Sequence, residues 1–230
     1  MHLVVPIKRY ADAKQRLAAL VTPDRRRAVA RAMAESLLLE LATLSGLNEI
    51  VVATSEPELR SIAKRHGFGV LIDDPHRPGL NHAVTTAVDI LSRGGATDIG
   101  VVFSDLPLFT ADEFSKVLAH HRQGQPRQMT MVTDRLGDGT NIRLCRPGNS
   151  VPAGYGKASA SRHRAWAEAA EVHVSVFPSK SLSLDLDHPE DIPCLFEVAE
   201  AVRPLASNTV LPLLASWHLA IPFVGAHRCL

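Results

Sequence analysis

GVVFSDLPLF, residues 100–109, reads as a buried strand that stops abruptly at Ser104-Asp105. The run from Val101 to Phe103 is unbroken apolar sequence, and the Ser-Asp pair closes it. Open α/β sheets bind their ligands at the C-terminal ends of strands, which is where Asp105 then stands. LSLDLD (182–187) has the form of a second acidic strand end. Its leucines 182, 184 and 186 fall on one face, so Ser183, Asp185 and Asp187 share the other. Two such ends in one α/β chain suggest a divalent metal holding phosphate groups, because Mg²⁺ takes hard oxygen ligands and keeps positions for phosphate oxygens. Each carboxylate also has a plainer reading. Asp105 suits a turn cap before Pro107. Asp187-His188-Pro189-Glu190 suits a helix N-cap with Glu three residues on.

On either side of this stretch, strands alternate with helices. Residues 2–7, 49–53, 69–72 and 99–103 read as strands. Thr22-Pro23-Asp24 supplies an N-cap, a Pro at the first helical position and an acid in the first turn. Val29, Met33, Leu37, Leu41 and Leu44 then give one apolar helix face. Ser55 with Glu58, and Thr110 with Glu113, have capping-box spacing, and 80–92 is a further helix. This alternation implies right-handed crossovers and a mostly parallel sheet. After about Gly124, short strands (129–133, 142–145, 172–177) alternate with Gly-containing loops and one helix, about 160–170. That pattern suggests added antiparallel strands and a lid over the open edge.

Composition narrows the function. The formal net charge is +1, so no concentrated basic face for nucleic acid is expected. Cys145, Cys194 and Cys229 fit no metal-ligand spacing, and an odd count without a secretory context predicts reduced thiols in the cytoplasm. No unbroken apolar run is long enough for a membrane span. Walker-type GxxxxGK[ST], GxGxxG and GxSxG patterns are all missing, which removes support for common kinase, dinucleotide and serine-hydrolase classes.

Several loops carry groups suited to anions. PIKRYADAKQRL (6–17) follows the first strand and brings Lys8, Arg9, Lys14 and Arg16 where a triphosphate would be neutralised. By itself it reads as a solvated basic loop. GDGTN (137–141) reads as a hairpin turn. YGKAS (155–159) precedes a helix, so Ser159 either caps that helix or presents its N-terminus to a phosphate. In PGLN (78–81), Asn81 either caps a helix or reads a nucleobase edge with its paired donor and acceptor. His163, with Arg162 and Arg164, lies on the helix after YGKAS; a basic helix start can neutralise a phosphorylated acid, but the default is a solvated charged face.

PIKRYADAKQRL, TSEPEL, GLN, FSDLPLFTADE, GDGTN, YGKAS with a following RH, and LSLDLDHPED occur in one consistent order. The chain thereby resembles, over about residues 1–200, the phospho-hydroxy-acid guanylyltransferases of deazaflavin coenzyme F-420 biosynthesis, a branch of the MobA-like nucleotidyltransferases. The resemblance implies a Rossmann-like α/β nucleotidyltransferase (GT-A/MobA-like) fold, with a mixed, mostly parallel sheet flanked by helices. It implies one domain over 1–203, a nucleotide half to about 123 and an acceptor half after it, with 204–230 an apolar tail. It further implies GTP as donor, Mg²⁺ as cofactor, and 3-phospho-D-glycerate, phosphoenolpyruvate or 2-phospho-L-lactate as acceptor, with pyrophosphate released and the product passed to a deazaflavin transferase. Asp105, Asp185 and Asp187 match metal ligands. Lys14 and Asp105 match catalytic positions. Pro6, Lys8, Lys14, Arg16, Gly79, Asn81 and Ser104 fall on the nucleotide side, and Thr140, Gly156 and Ser159 match the holders of the acceptor phosphate. The chain departs from the family pattern at Lys157 and Ala158, where Gly or Pro is common. The Ala- and Arg-rich composition looks bacterial, which leans the acceptor toward phosphoglycerate or phosphoenolpyruvate. The tail is the one hint of a homodimer, and its few cationic residues argue against membrane contact. Rival readings are a related nucleotidyltransferase acting on the molybdenum cofactor or a sugar phosphate, whose glycine loop is missing after Val5, and a non-catalytic nucleotide-binding protein.

Overall fold

The protein's structure, a computed structural model, describes residues 1–72, 76, 79–202 and 208–217. Pro78, Phe223 and Cys229 lie outside the described residues. Seven strands form one sheet: β1 (His2–Ile7), β2 (Glu49–Thr54), β3 (Gly69–Leu71), β4 (Ile99–Val102), β5 (Gln128–Thr133), β6 (Thr140–Arg146) and β7 (His173–Val176). Their spatial order is β3-β2-β1-β4-β6-β5-β7. β1 pairs parallel with β2 and β4, β2 with β3, and β5 with β7. β6 is antiparallel to both its neighbours, so it alone runs against the rest. The expected antiparallel addition is this single reversed strand, delivered by the 134–139 hairpin.

Helices cover both faces, as a parallel sheet requires. The helices are α1 (Pro23–Ala42), α2 (Pro57–Arg65), α3 (Leu80–Arg93), α4 (Ala111–Arg122), α5 (Ser159–Ala169), α6 (Asp191–Val202) and α7 (Val210–Ala215). One face packs Leu3, Val5, Val52 and Leu144 against Leu37, Leu41 and Phe114; the other packs Val4, Ala53 and Val101 against Val84 and Val88. β4 is buried throughout. Its Gly100 has no room for a side chain, because a Cβ there would lie 2.5 Å from Leu144 and 2.7 Å from Leu3. Thr22 and Thr110 act as predicted, their hydroxyls accepting the N–H groups of Arg25 and Glu113.

Four local expectations are corrected. LSLDLD is not a strand: residues 184–187 form an extended loop. Both edges of β4 are already taken by β1 and β6, so the acidic segment crosses beyond the strand end, held by the Leu186 N–H to Asp105 carbonyl bond (3.0 Å). Its alternation survives as burial, with Leu182, Leu184 and Leu186 inside. Ser55 forms no capping box; α2 begins at Pro57, and the Glu56 carboxylate instead accepts the Tyr10 N–H at 3.1 Å. Asp187 is not a helix cap: the carboxylate that accepts local N–H groups, those of Asp187 and His188, is Asp191's. Cys194 is disulfide-bonded rather than reduced, whereas Cys145 is a free, buried thiol. The described part of the tail packs on the domain itself. Val210, Leu214 and Trp217 join Leu17, Val29, Met33, Leu184 and Leu186 in one cluster, and the Asn208 amide donates to the Pro107 carbonyl.

Candidate functional site

Parallel register sets the site. Val4 pairs with Val101 and Ile7 with Thr54, so the loops leaving β1, β2 and β4 emerge side by side. After β1 the chain makes two short 3₁₀ turns, Tyr10–Asp12 and Gln15–Leu17. Lys14 joins them in the left-handed region (φ 52°, ψ 37°), a conformation that is costly for a residue with a side chain and concentrates at functional sites. It turns the lysine inward. With its side chain 7% exposed, its Nζ donates to Asp105 Oδ2 at 3.2 Å and to Asp187 Oδ1 at 3.0 Å. Arg16, largely exposed, adds a bond to Asp187 Oδ2 at 3.1 Å.

The Asp105, Asp185 and Asp187 carboxylates come together, with ligand oxygens all within 4.8 Å of one another. Burial would lower the Lys14 pKa, but Asp105 and Asp187 outweigh it and raise the ammonium above its ordinary range. Asp187 is held low against its burial, chiefly by Lys14 and then by Arg16. Asp185 has no ion-pair partner among the described residues. Burial, with Asp105 and Asp187 next in size, pushes its pKa up to about 7. Three carboxylates against Lys14 and the exposed Arg16 leave one negative charge in excess when all are ionised. That hard-oxygen set suits a divalent cation, for which oxygens must approach within about 4 Å of one another, a small closure from the present spacing.

The cleft beside this cluster has two adjoining lobes of about 400 and 340 Å³, a size suited to small ligands. Lys14, Arg16, Ser104, Asp105, Gly156 and Asp187 line the larger lobe. Arg9, Ser55, Gly79 and Ala83 line the smaller, and Pro6, Lys8 and Leu80 belong to both. Most of the sequence-predicted residues therefore share one cleft. Asp185, Asn81, Thr140 and Ser159 are not in its walls.

Those last three hold a wall in place. Asn81 receives the Tyr155 N–H on Oδ1 at 2.7 Å and donates from Nδ2 to the Tyr155 carbonyl at 3.2 Å. Its amide is thus spent on the YGKAS loop, so reading a base edge would require breaking both bonds. Ser159 is not the helix cap, since Ala158 (φ 56°) occupies that position. Its hydroxyl instead meets Thr140 Oγ1 at 3.2 Å. His163 is fully buried, not solvated. Its Nε2 faces the Gly154 N–H at 3.1 Å and its Nδ1 faces Thr140 Oγ1 at 3.1 Å. Burial, then the cations Arg143 and Arg162, push its pKa down to about 3, so the ring is neutral. The two glycine turns meet here as well: Asp138 accepts from the N–H groups of Ala158 and Ala160.

Sequence reading missed Arg143 and the role of Asp138, and misread His163 as solvated. Arg143 is 2% exposed on central strand β6, has no carboxylate in ion-pair range among the described residues, and donates to the Val151 and Pro152 carbonyls. Its guanidinium stacks 5.4 Å from the Tyr155 ring. A charged residue set between Ile142 and Leu144 in a buried strand was the available signal. His163 lies four residues after Ser159, on the same helix face, and that spacing was the hint for it.

The family described as "Guanylyl transferase CofC like" matches residues 1–201. A protein named phosphoenolpyruvate guanylyltransferase from Conexibacter woesei is 33% identical over 207 residues, covering 90% of this chain and 92% of its own length. Among solved structures, one described as a nucleotide-diphospho-sugar transferase from Desulfovibrio desulfuricans superposes with a TM-score of 0.71 at 15% identity, covering 94% of this chain and 95% of that one. Glucosyl-3-phosphoglycerate synthase from Mycobacterium tuberculosis, solved with Mn²⁺ and uridine diphosphate, gives 0.54 at 15% identity over 97% of this chain and 81% of its own. These structural likenesses establish the nucleotidyltransferase-type fold.

Proposed function

This chain belongs to the CofC-like guanylyl transferases and is a nucleotidyltransferase, and from that premise we propose that it transfers GMP from GTP to phosphoenolpyruvate. The observation that carries the chemistry is the meeting of Lys14 with Asp105, Asp185 and Asp187 at the lip of the two-lobed cleft. The relatives' printed name supports the acceptor. A phosphate oxygen of the acceptor attacks the α-phosphorus of GTP. One P–O bond forms there, the bond from that phosphorus to the bridging oxygen breaks, and pyrophosphate leaves with its electron pair. The nucleophile is already an anion, so no general base is needed; the protein's task is to bring two anions together in line.

Each part of the cleft then has a role. Pro6, Gly79 and the smaller lobe receive the nucleoside, with Asn81 fixing the loop opposite. Lys8, Arg16 and Ser104 would meet the triphosphate, and Lys14, which lines the same lobe, would add its charge there. Asp105, Asp185 and Asp187 would hold Mg²⁺, which when bound would supply neutralisation of phosphate charge. Gly156 approaches the acceptor phosphate by its backbone, with Thr140 and Ser159 behind it. Residues 1–203 act as one unit, the nucleotide half to about 123 and the acceptor half after it. Among the described residues no helix is long and apolar enough to cross a membrane. On the reading proposed, the product passes to a deazaflavin transferase.

The test is pyrophosphate release, coupled to pyrophosphatase, with GTP, Mg²⁺ and phosphoenolpyruvate, 3-phospho-D-glycerate or 2-phospho-L-lactate in turn. Release with phosphoenolpyruvate and GTP, and not with ATP, is expected. Release only with another of the acids reassigns the acceptor. Silence with all three, in protein that binds GTP, overturns the reading.

A further inference from the structure

We propose that His163 is a positioning residue for acceptor binding: its neutral Nδ1–H tautomer turns the Thr140–Ser159 hydroxyl pair into an outward hydrogen-bond donor toward an anionic acceptor. The inference rests on the guanylyl-transfer reading of the same cleft. It follows from counting protons. The Gly154 backbone N–H can only donate, so His163 Nε2, 3.1 Å away, must accept and carries no proton. The ring proton of the neutral histidine therefore sits on Nδ1, and Nδ1 donates to Thr140 Oγ1. Thr140 Oγ1 and Ser159 Oγ are 3.2 Å apart, and one hydroxyl proton spans that contact. Two hydroxyls own two protons. With His163 as donor, one proton is left over, and neither hydroxyl has another acceptor among the described residues.

Both hydroxyls are nearly buried, so an unspent O–H there is costly until an acceptor arrives. Neither hydroxyl is in the cleft walls, but both belong to segments tied to backbone that is. Thr140 opens β6, and the next residue's carbonyl takes the Phe103 N–H, one residue before Ser104. Gly156, which lines the cleft, is tied to Ser159 by its own carbonyl. The opposite tautomer, with the proton on Nε2, would clash with the Gly154 donor and leave Nδ1 to accept a hydroxyl proton. The pair would then have no donor to offer. A phosphoryl group offers only acceptor oxygens, so the tautomer is a selectivity device for anions.

The ring can be read directly. Long-range ¹H–¹⁵N spectra of the whole protein should show His163 as the Nδ1–H tautomer, independent of any turnover, and the Nε2–H form would overturn the proposal. In kinetics, His163→Phe keeps the shape and loses both nitrogens. It should raise the acceptor KM roughly 10- to 100-fold while leaving the GTP KM within about twofold. His163→Asn, whose Nδ2 stands near Nδ1, should recover most of the loss. Where His163→Phe fails to fold, Thr140→Val and the Thr140→Val/His163→Asn pair serve instead: the second change should add little to the first. A rise in both KM values together, or full additivity, would mark a merely structural role and overturn the proposal. Wild-type protein that binds GTP but uses none of the three acids would sink the functional reading and leave the tautomer result standing.

Discussion

Lys14 with its aspartates and His163 with its hydroxyls are two polar clusters at one end of the same sheet, and they balance their charges in opposite ways. The first is ionic and partly open, with more carboxylate than cation to match it. The second is neutral and buried; its described contacts each pair a donor with an acceptor and leave a single hydroxyl proton over. Excess charge in a cleft is stable only when something from outside completes it, which marks the first cluster as the place where ligands act. A buried, neutral network whose other polar atoms are paired moves little, which suits a wall that must hold a loop at a set distance. Asn81 ties the start of α3 to the Tyr155 backbone on the neutral side.

The comparison breaks most readily at Asp105. Asp105→Asn removes one carboxylate at nearly constant volume; turnover should fall on the order of 10²- to 10³-fold or more. Its melting temperature should stay close to the parent's, because the change also relieves carboxylate repulsion. Full activity would remove Asp105 from the chemistry. Lys14→Met should cost on the order of 10²-fold in kcat/KM for GTP, with the acceptor KM much less affected. An equal rise in both KM values would dissolve the distinction between the clusters.

The neutral side is sharpened by pH. His163 and the equally buried His121, whose pKa burial and then Arg146 push down to about 4, are uncharged when folded, against an ordinary value of 6.5. The unfolded chain therefore binds more protons below pH 6.5. The stability from these residues is complete above that value and is lost as pH falls from 6.5 toward 4, by at most about 1.4 kcal/mol per pH unit for each ring. Urea melts at pH 7.5 and 5 should show the slope, and His163→Asn should flatten it. Arg143→Met tests the loop itself. The Val151 and Pro152 carbonyls lose their donor, so stability should drop by about 2 kcal/mol, and the acceptor KM should rise while the GTP KM does not. The smallest effect is expected at Thr110→Ala, outside both clusters: about 1 kcal/mol from the lost N-cap, with both KM values unchanged.

Legibility followed the same division. Asp105, Asp185 and Asp187 stood out because carboxylates at the ends of apolar runs break a simple alternation, and the basic 6–17 loop after the first strand was equally visible. Asn81, Thr140 and Ser159 were found as positions, but their contacts were not, since the side-chain partners of each are distant in the chain. The 182–187 segment misled for a related reason. Its alternation was real, but whether an alternating segment becomes a strand depends on a free sheet edge, and β4 has none.

The sequence by itself determined the αβ alternation, the mostly parallel sheet, the capped helices and the acidic residues at the cleft, because periodicity, capping and strand ends are local properties. Only the tertiary structure decided that β6 alone runs backwards, that Lys14 turns inward onto two aspartates, that the 208–217 segment packs on its own domain, and that His163 is buried. Those outcomes hang on which distant surfaces meet, and the free energy of burying a histidine or a lysine depends on the partner found there rather than on its neighbours in the chain.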